Sequence, residues 1–114
     1  MRLEARKYLY DIQEAASLAA QFTSGRDFEE YQSNSMLRMA VERAFAIIGE
    51  ALSQLAHLDS GLASRITDYR SIVAFRNILV HAYAQIDDLI VWEIVQWKLP
   101  VLLREVTALM EENG

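Results

Sequence analysis

The sequence predicts an all-α fold, an up-and-down antiparallel bundle of four long helices. Apolar residues recur at spacings of three and four along the chain, and no stretch shows the strict alternation of a half-buried strand. Short groups of turn-forming residues separate the apolar stripes, without internal repeats, low-complexity tracts or linkers. A chain of 114 residues can bury one core but not two, so we assign residues 1–114 to a single helical domain.

The first two helices are predicted from their apolar stripes and from the residues at their ends. The first runs from about Arg2 to Phe22 and stops before Gly25, because glycine suits the position just past a helix end. Its stripe consists of Leu9, Ile12, Ala16, Ala19 and Phe22. Asp27 is the expected N-cap of a long second helix that ends near Asp59. The stripe of that helix consists of Leu37, Val41, Phe45, Ile48, Leu52 and Leu55.

The last two helices are predicted from their caps and from a proline. Thr67 is the expected cap of the third helix, which continues to a break at Ile86 and Asp87. The fourth begins at Asp87 or Asp88 and meets Pro100, the only proline in the sequence. Proline removes a backbone donor and crowds the preceding turn, so we expect this helix to be kinked or split at Pro100.

The composition excludes several kinds of chemistry. With no cysteine and only two histidines, His57 and His81, the chain has no thiolate nucleophile, no disulfide and no set of zinc ligands close in sequence. We therefore expect neither a metal nor another cofactor. No apolar run approaches the roughly 18 to 20 residues of a spanning helix, and the start of the chain lacks the apolar block of a signal peptide. We expect a soluble, cytoplasmic protein.

The charge distribution argues against a broad basic surface for nucleic acid but leaves one candidate region. The net charge is −5. Only residues 60–86 are net basic, with three arginines and one aspartate. Hydrophobic residues make up 53% of the chain, so part of the surface is expected to meet a partner, and we expect self-association.

Residues 76–83 are the only segment that combines a permanent cation, a base that titrates near neutral pH and a phenol. These are Arg76, His81 and Tyr83. On a straight helix, residues seven apart share a face while residues five apart are separated by roughly 140°, so Arg76 and Tyr83 point one way and His81 another. Either Arg76 reaches round the helix, or the helix ends or distorts near His81, or a second copy supplies the missing partner.

The position of Arg76 on an apolar stripe also needs an explanation. A guanidinium on a buried face must find an anion or an acceptor. Glu42, Glu50, a partner chain and a bound phosphate are the candidates. The simpler interpretation of His81 is that a histidine near the C-terminus of a helix complements the helix dipole while its ring packs.

Three segments of the chain together form a family pattern. The Arg-X4-His-X-Tyr signature consists of Arg76, His81 and Tyr83. Upstream lies Ile47-Ile48-Gly49-Glu50-Ala51, and downstream lie Val91-Trp92 and Leu99-Pro100. Over nearly its whole length the chain thus resembles HEPN-domain toxins of the HepT type. The resemblance implies an all-helical toxin of a toxin-antitoxin system, which dimerises to build a metal-independent ribonuclease site and pairs with a small nucleotidyltransferase antitoxin.

The roles implied by the resemblance agree with the residue types present. The 2′-hydroxyl of RNA is an internal nucleophile, so a base and a charge-stabilising group suffice for cleavage without a metal. His81 would transfer protons, and Arg76 would stabilise the phosphate in the transition state. Asn77 would orient the His81 ring or donate to a phosphate oxygen. Tyr83 would accept AMP from the antitoxin, although a tyrosine here could instead pack against the fourth helix.

A second function remains open from the sequence. The chain could be a non-catalytic helical module that partners a nucleotidyltransferase, with Arg76 and His81 serving as a phosphate clamp. The net acidity and the absence of any other RNA-binding signature favour this alternative. Toxicity of the wild-type chain, compared with Arg76→Ala and His81→Ala, distinguishes the two.

Overall fold

The computed structural model describes residues 1–112 and confirms the all-α prediction, with no strand in that part of the chain. The last two residues of the predicted domain lie outside the described residues. The α-helices are α1 (Leu3–Thr23), α2 (Phe28–Ser33), α3 (Ser35–Leu58), α4 (Ser60–Ala63), α5 (Tyr69–His81), α6 (Asp88–Glu93) and α7 (Leu99–Glu112). A 3-10 turn covers Tyr83–Gln85, and a π-helical turn covers Ile94–Lys98.

The core is formed by α1, α3 and the last helical region, and α3 also carries α5. Every residue of the stripe predicted for the second helix is buried, as its spacing requires. The stripe of α1 is confirmed except at its end, where Phe22 is exposed and Thr23 is buried. Thr23 tolerates burial because its hydroxyl donates to the carbonyl of Ala19 at 2.8 Å.

The prediction of one long second helix is wrong at its start, because the helix is interrupted at Asn34. Asp27 caps only the short α2, through a capping box with Glu30. Asn34 then begins α3 by accepting from the backbone N–H of Leu37 at 3.0 Å. This break turns α2 so that Tyr31 is buried against Trp92, with 5.4 Å between ring centroids.

The cap predicted for the third helix is also wrong. Thr67 donates its backbone N–H and its hydroxyl to the carboxylate of Glu105 on α7, at 3.0 and 2.8 Å. Asp68 then takes a left-handed conformation (φ 58°), and α5 begins at Tyr69 without a side-chain cap. A contact with a distant helix therefore decides where α5 starts.

The last helix is interrupted immediately before Pro100, as predicted. The N–H of Leu99 donates to the carbonyl of Ile94, five residues back, so one turn is wider than an α-helix. The wider turn accommodates the missing donor of Pro100, and α7 continues to Glu112. Of the two tryptophans, Trp92 is in the core, whereas Trp97 in the wide turn is 75% exposed. No helix in residues 1–112 is both long and apolar enough to span a membrane.

Candidate functional site

Helix α5 carries the motif and packs on α3 along one side only. Its apolar side chains Ile72, Phe75 and Leu79 are partly buried against the core, and none of its residues is fully buried. Phe75 meets Phe45 of α3 edge to face, with 5.9 Å between ring centroids. The rest of the circumference of α5 is open, so the motif lies at the surface of the protein.

Arg76 is placed by an unusually close approach of α5 to α3. A Cβ atom added to Gly49 would lie 2.2 Å from Cβ of Arg76, 2.8 Å from Cγ and 3.3 Å from the carbonyl oxygen of Ile72. The two shorter distances are far below an ordinary carbon contact of about 3.5 to 4 Å, so only glycine fits here. The aliphatic stem of Arg76 therefore rests directly on the backbone of α3.

Two polar contacts hold the guanidinium group of Arg76. Its Nη2 atom forms an ion pair with Oε2 of Glu50 at 3.0 Å, and Nη1 donates to Oδ1 of Asn77 at 3.0 Å. Its Nε atom is buried and has no hydrogen-bond partner among the described residues. A guanidinium has five N–H donors, so these contacts fix its orientation while leaving further donors for an anion.

The acceptor expected for Arg76 is thus Glu50. Glu42, the competing candidate, lies instead near Asp88 and Arg38. Burial and the nearby carboxylate of Asp88 raise the pKa of Glu42 above its ordinary value, while Arg38 opposes the shift. Asn77, which is expected from the sequence to orient His81 or to bind phosphate, contacts Arg76 in the structure.

His81 is the last residue of α5, and its side chain is exposed. The helix ends there because Ala82 leaves the helical region, with φ −133° and ψ 42°, while its N–H still donates to Ile78. Arg76 lies against α3, and the side chain of His81 is exposed at the end of α5. The helix thus ends at His81, which is one of the three arrangements that the sequence left open.

Tyr83 does not continue the stripe of Arg76, because α5 ends two residues earlier. The expectation that the two residues share a helical face is therefore wrong. Tyr83 lies in the 3-10 turn and is 77% exposed, so its ring does not pack against the last helix. Its hydroxyl is accessible to a second protein.

Gly49 contributes to the geometry of the candidate site in a way that the sequence did not reveal. In the sequence it stands out only as part of the Ile47-Ile48-Gly49-Glu50-Ala51 segment, and its role depends on a neighbour 27 positions away, Arg76. A glycine inside an otherwise strong helical stripe was the available signal, since glycine in a helix is unfavourable unless close packing requires it. His57, by contrast, lies at the end of α3, with Nδ1 2.9 Å from the carbonyl oxygen of Ser53. Within residues 1–112 no group of three or more potential ligands could hold a metal ion.

Comparison with known proteins places this geometry in a family context. A family model described as "Ribonuclease HepT-like" matches residues 12–109. A Methanocaldococcus jannaschii protein named "Putative RNase MJ1380" is 38% identical over 103 residues, which cover 90% of this chain and 94% of that protein. "Probable ribonuclease HepT" from Thermococcus cleftensis is 33% identical over 102 residues, covering 90% and 92% of the two chains. No solved structure matches the chain.

Proposed function

Because the chain belongs to the ribonuclease HepT-like family, we propose that it is a metal-independent endoribonuclease whose site is built from Arg76 and His81. The observation that carries the proposal is the fixed position of the Arg76 side chain. Its stem is held on Gly49 and its head by Glu50 and Asn77, with N–H groups left over for a phosphate. Such a fixed guanidinium stabilises charge on a phosphate without reorganising during the reaction.

The proposed reaction uses the 2′-hydroxyl of the RNA as nucleophile. His81 removes the proton of the 2′-hydroxyl, O2′ bonds to phosphorus, and the bond from phosphorus to the 5′-oxygen breaks. Arg76 binds the phosphoryl oxygens, on which negative charge increases. A second imidazole protonates the leaving 5′-oxygen. The products are a 2′,3′-cyclic phosphate and a 5′-hydroxyl.

A second copy of the chain completes this site in our proposal. Each chain has a single His81, whereas the proposed reaction uses two imidazoles, so the partner protomer supplies the second one. The exposed apolar side chains of Ile78 and Val80, within the motif on α5, support an interface at this position. In a two-fold dimer both copies contribute the same surface, so the α5 helices of the two protomers meet each other.

We also propose that the chain is the toxin of a toxin-antitoxin pair and that a nucleotidyltransferase antitoxin neutralises it at Tyr83. The Tyr83 phenol attacks the α-phosphate of ATP, pyrophosphate leaves, and AMP remains on the tyrosine oxygen. The high exposure of Tyr83 supports this reaction, because another protein must reach its hydroxyl. An added anionic nucleotide next to the motif repels and obstructs RNA. Mass analysis of the chain expressed with and without the antitoxin, with Tyr83→Phe as control, tests the modification.

Mixed dimers test the proposed shared site. Arg76→Ala and His81→Ala are each expected to abolish cleavage of RNA by the purified protein, and products of the wild-type chain should carry 2′,3′-cyclic phosphate ends. In a mixed dimer of one wild-type and one His81→Ala chain, the site keeps only one of its two imidazoles, so the rate of cleavage should be far below half that of the wild-type dimer. A mixed dimer that keeps half of the wild-type rate would contradict the shared site, because each protomer would then cleave RNA on its own. Products with a 3′-hydroxyl would contradict the mechanism, and a wild-type chain that cleaves no RNA would favour the non-catalytic module.

A further inference from the structure

A groove between α1, α3 and α5 is not used by the chemistry proposed above, although Arg76 forms part of its wall. Its volume is about 250 Å³. The lining is mixed, with an aromatic ring from Tyr8, a guanidinium from Arg43 and an amide from Gln54 among its polar groups. An apolar cavity would not need these groups, whereas a site for a polar ligand would.

All but one of the charged side chains that line the groove form an ion pair. The carboxylate of Asp11 is 3.2 Å from Nζ of Lys7, and Glu50 is paired with Arg76. Arg43 is exposed, and its guanidinium has no ion pair or hydrogen bond within residues 1–112. The groove of this acidic chain therefore carries one free positive charge.

The unpaired charge of Arg43 lies on the same face of α3 as the proposed site. Arg43 and Glu50 are seven residues apart on α3, so they share a face and are separated by roughly 10 Å along the helix. Glu50 holds the guanidinium of Arg76, and both of these residues line the groove. A strand whose phosphate rests on Arg76 and which enters the groove therefore passes Arg43. The half-buried ring of Tyr8 stands in the opposite wall, on α1.

We propose that this groove binds the single-stranded RNA next to the scissile phosphate, with Arg43 on a neighbouring phosphate and the Tyr8 ring against a base. The proposal rests on the ribonuclease function proposed above and extends its site. Single-strand sites elsewhere combine a cation that follows the backbone with an aromatic side chain on which a base stacks. Both elements are present here.

Salt dependence of RNA binding tests the Arg43 contact directly. The protein carries His81→Ala to prevent cleavage, and the probe is a fluorescein-labelled oligouridylate of about a dozen nucleotides. Each phosphate contact to a single strand contributes about 0.7 to the slope of log K against log salt, so Arg43→Ala should lower the slope by about 0.7. Arg104→Ala removes the same charge from an exposed position outside the groove, and it should leave the slope unchanged.

Cleavage kinetics separate the groove from the reacting atoms. With the same oligonucleotide, Arg43→Ala in the otherwise wild-type chain should raise KM about threefold to tenfold and change kcat less than about twofold. With the dinucleotide uridylyl-uridine, which has no further phosphate, the variant and the wild type should be equal. Tyr8→Phe keeps the ring and should behave as wild type, whereas Tyr8→Leu should raise KM for the oligonucleotide.

Two outcomes would overturn the proposal. The first is that Arg43→Ala and Arg104→Ala show the same slope of log K against log salt and the same KM, while the wild-type chain cleaves RNA. In that case the groove does not bind the RNA strand, and the ribonuclease function stands. This result would point to an acidic segment of a protein partner as the ligand of Arg43. If the wild-type chain cleaves no RNA, the groove proposal fails together with the function on which it rests.

Discussion

Substitution of Gly49 by alanine places a methyl group where the stem of Arg76 now lies. The added carbon would be 2.2 Å from Cβ of Arg76, and an ordinary carbon contact is about 3.5 to 4 Å. Helix α5 must therefore move away from α3 by roughly 1.5 Å at this point, since both atoms belong to rigid parts of the two helices. The ion pair between Arg76 and Glu50, at 3.0 Å, cannot remain unchanged under such a shift.

The shift is expected to reduce activity far more than stability. Overpacking costs about 1 to 3 kcal/mol, and the better helix propensity of alanine offsets about 1 kcal/mol of this, so the free energy of unfolding should fall by about 0 to 2 kcal/mol. A misplacement of about 1 Å in a catalytic group costs on the order of 100-fold in rate. We therefore expect Gly49→Ala to lower kcat/KM for RNA by about 100-fold while the chain stays folded.

The assay compares Gly49→Ala with Gly61→Ala. Gly61 lies in α4, is exposed, and its added carbon would come no closer than 3.6 Å to another atom, Oδ1 of Asp59. Chemical denaturation measures the stability of both variants, and cleavage of a labelled oligonucleotide measures kcat and KM. Gly61→Ala should keep the wild-type kcat and KM, because its added carbon does not approach Arg76 or His81.

A folded Gly49→Ala variant that cleaves RNA within about threefold of the wild-type rate would refute this prediction, because the close packing of Arg76 on Gly49 would then have no effect on activity. A Gly61→Ala variant that loses as much activity as Gly49→Ala would refute it equally, because the loss would then not depend on the contact with Arg76.

Three further predictions follow from the structure. Glu50→Gln removes the charge that orients Arg76 at a half-exposed position, so kcat should fall about threefold to fivefold with little change in stability, measured by steady-state kinetics and thermal melting. The raised pKa of Glu42 means that the folded state holds its proton more tightly than the unfolded state, so this residue lowers stability as the pH rises above the ordinary glutamate pKa. Glu42→Gln should therefore raise Tm at about pH 7 and leave it unchanged at about pH 4. Asp27→Ala removes the capping box of α2 and should lower the free energy of unfolding by about 1 kcal/mol in urea without affecting kcat.

Each of these has a control. Glu14→Gln changes an exposed carboxylate on α1 and should not alter Tm differently at the two pH values, and equal responses of Glu14→Gln and Glu42→Gln would contradict the burial argument. An unchanged kcat in Glu50→Gln would mean that Asn77 and Gly49 suffice to place Arg76. An Asp27→Ala variant as stable as wild type would mean that the contact of Tyr31 with Trp92 holds α2 without its cap.

The prediction of helices from the sequence succeeded where the signal is local. The buried stripe of α3 repeats every three to four residues from Leu37 to Leu55, and such a period allows only one kind of element. Helix caps were less predictable. Side chains such as those of Asn34 and Thr67 can either begin a helix or bind a residue elsewhere, and the sequence does not distinguish the two. Asn34 starts a helix within a stretch predicted to be continuous, whereas Thr67 binds Glu105, 38 positions away, instead of capping α5.

The sequence by itself determined the all-α class, the core stripes and the segment that carries Arg76, His81 and Tyr83, since these depend on residue types and on spacing along one chain. The tertiary structure alone decided which acceptor holds Arg76, that His81 ends its helix, and that Gly49 is the contact point of α3 and α5. The physical reason is that these features depend on distances between elements that are remote in sequence. The period of a helix predicts which residues face inward, but only packing brings Gly49 under Arg76.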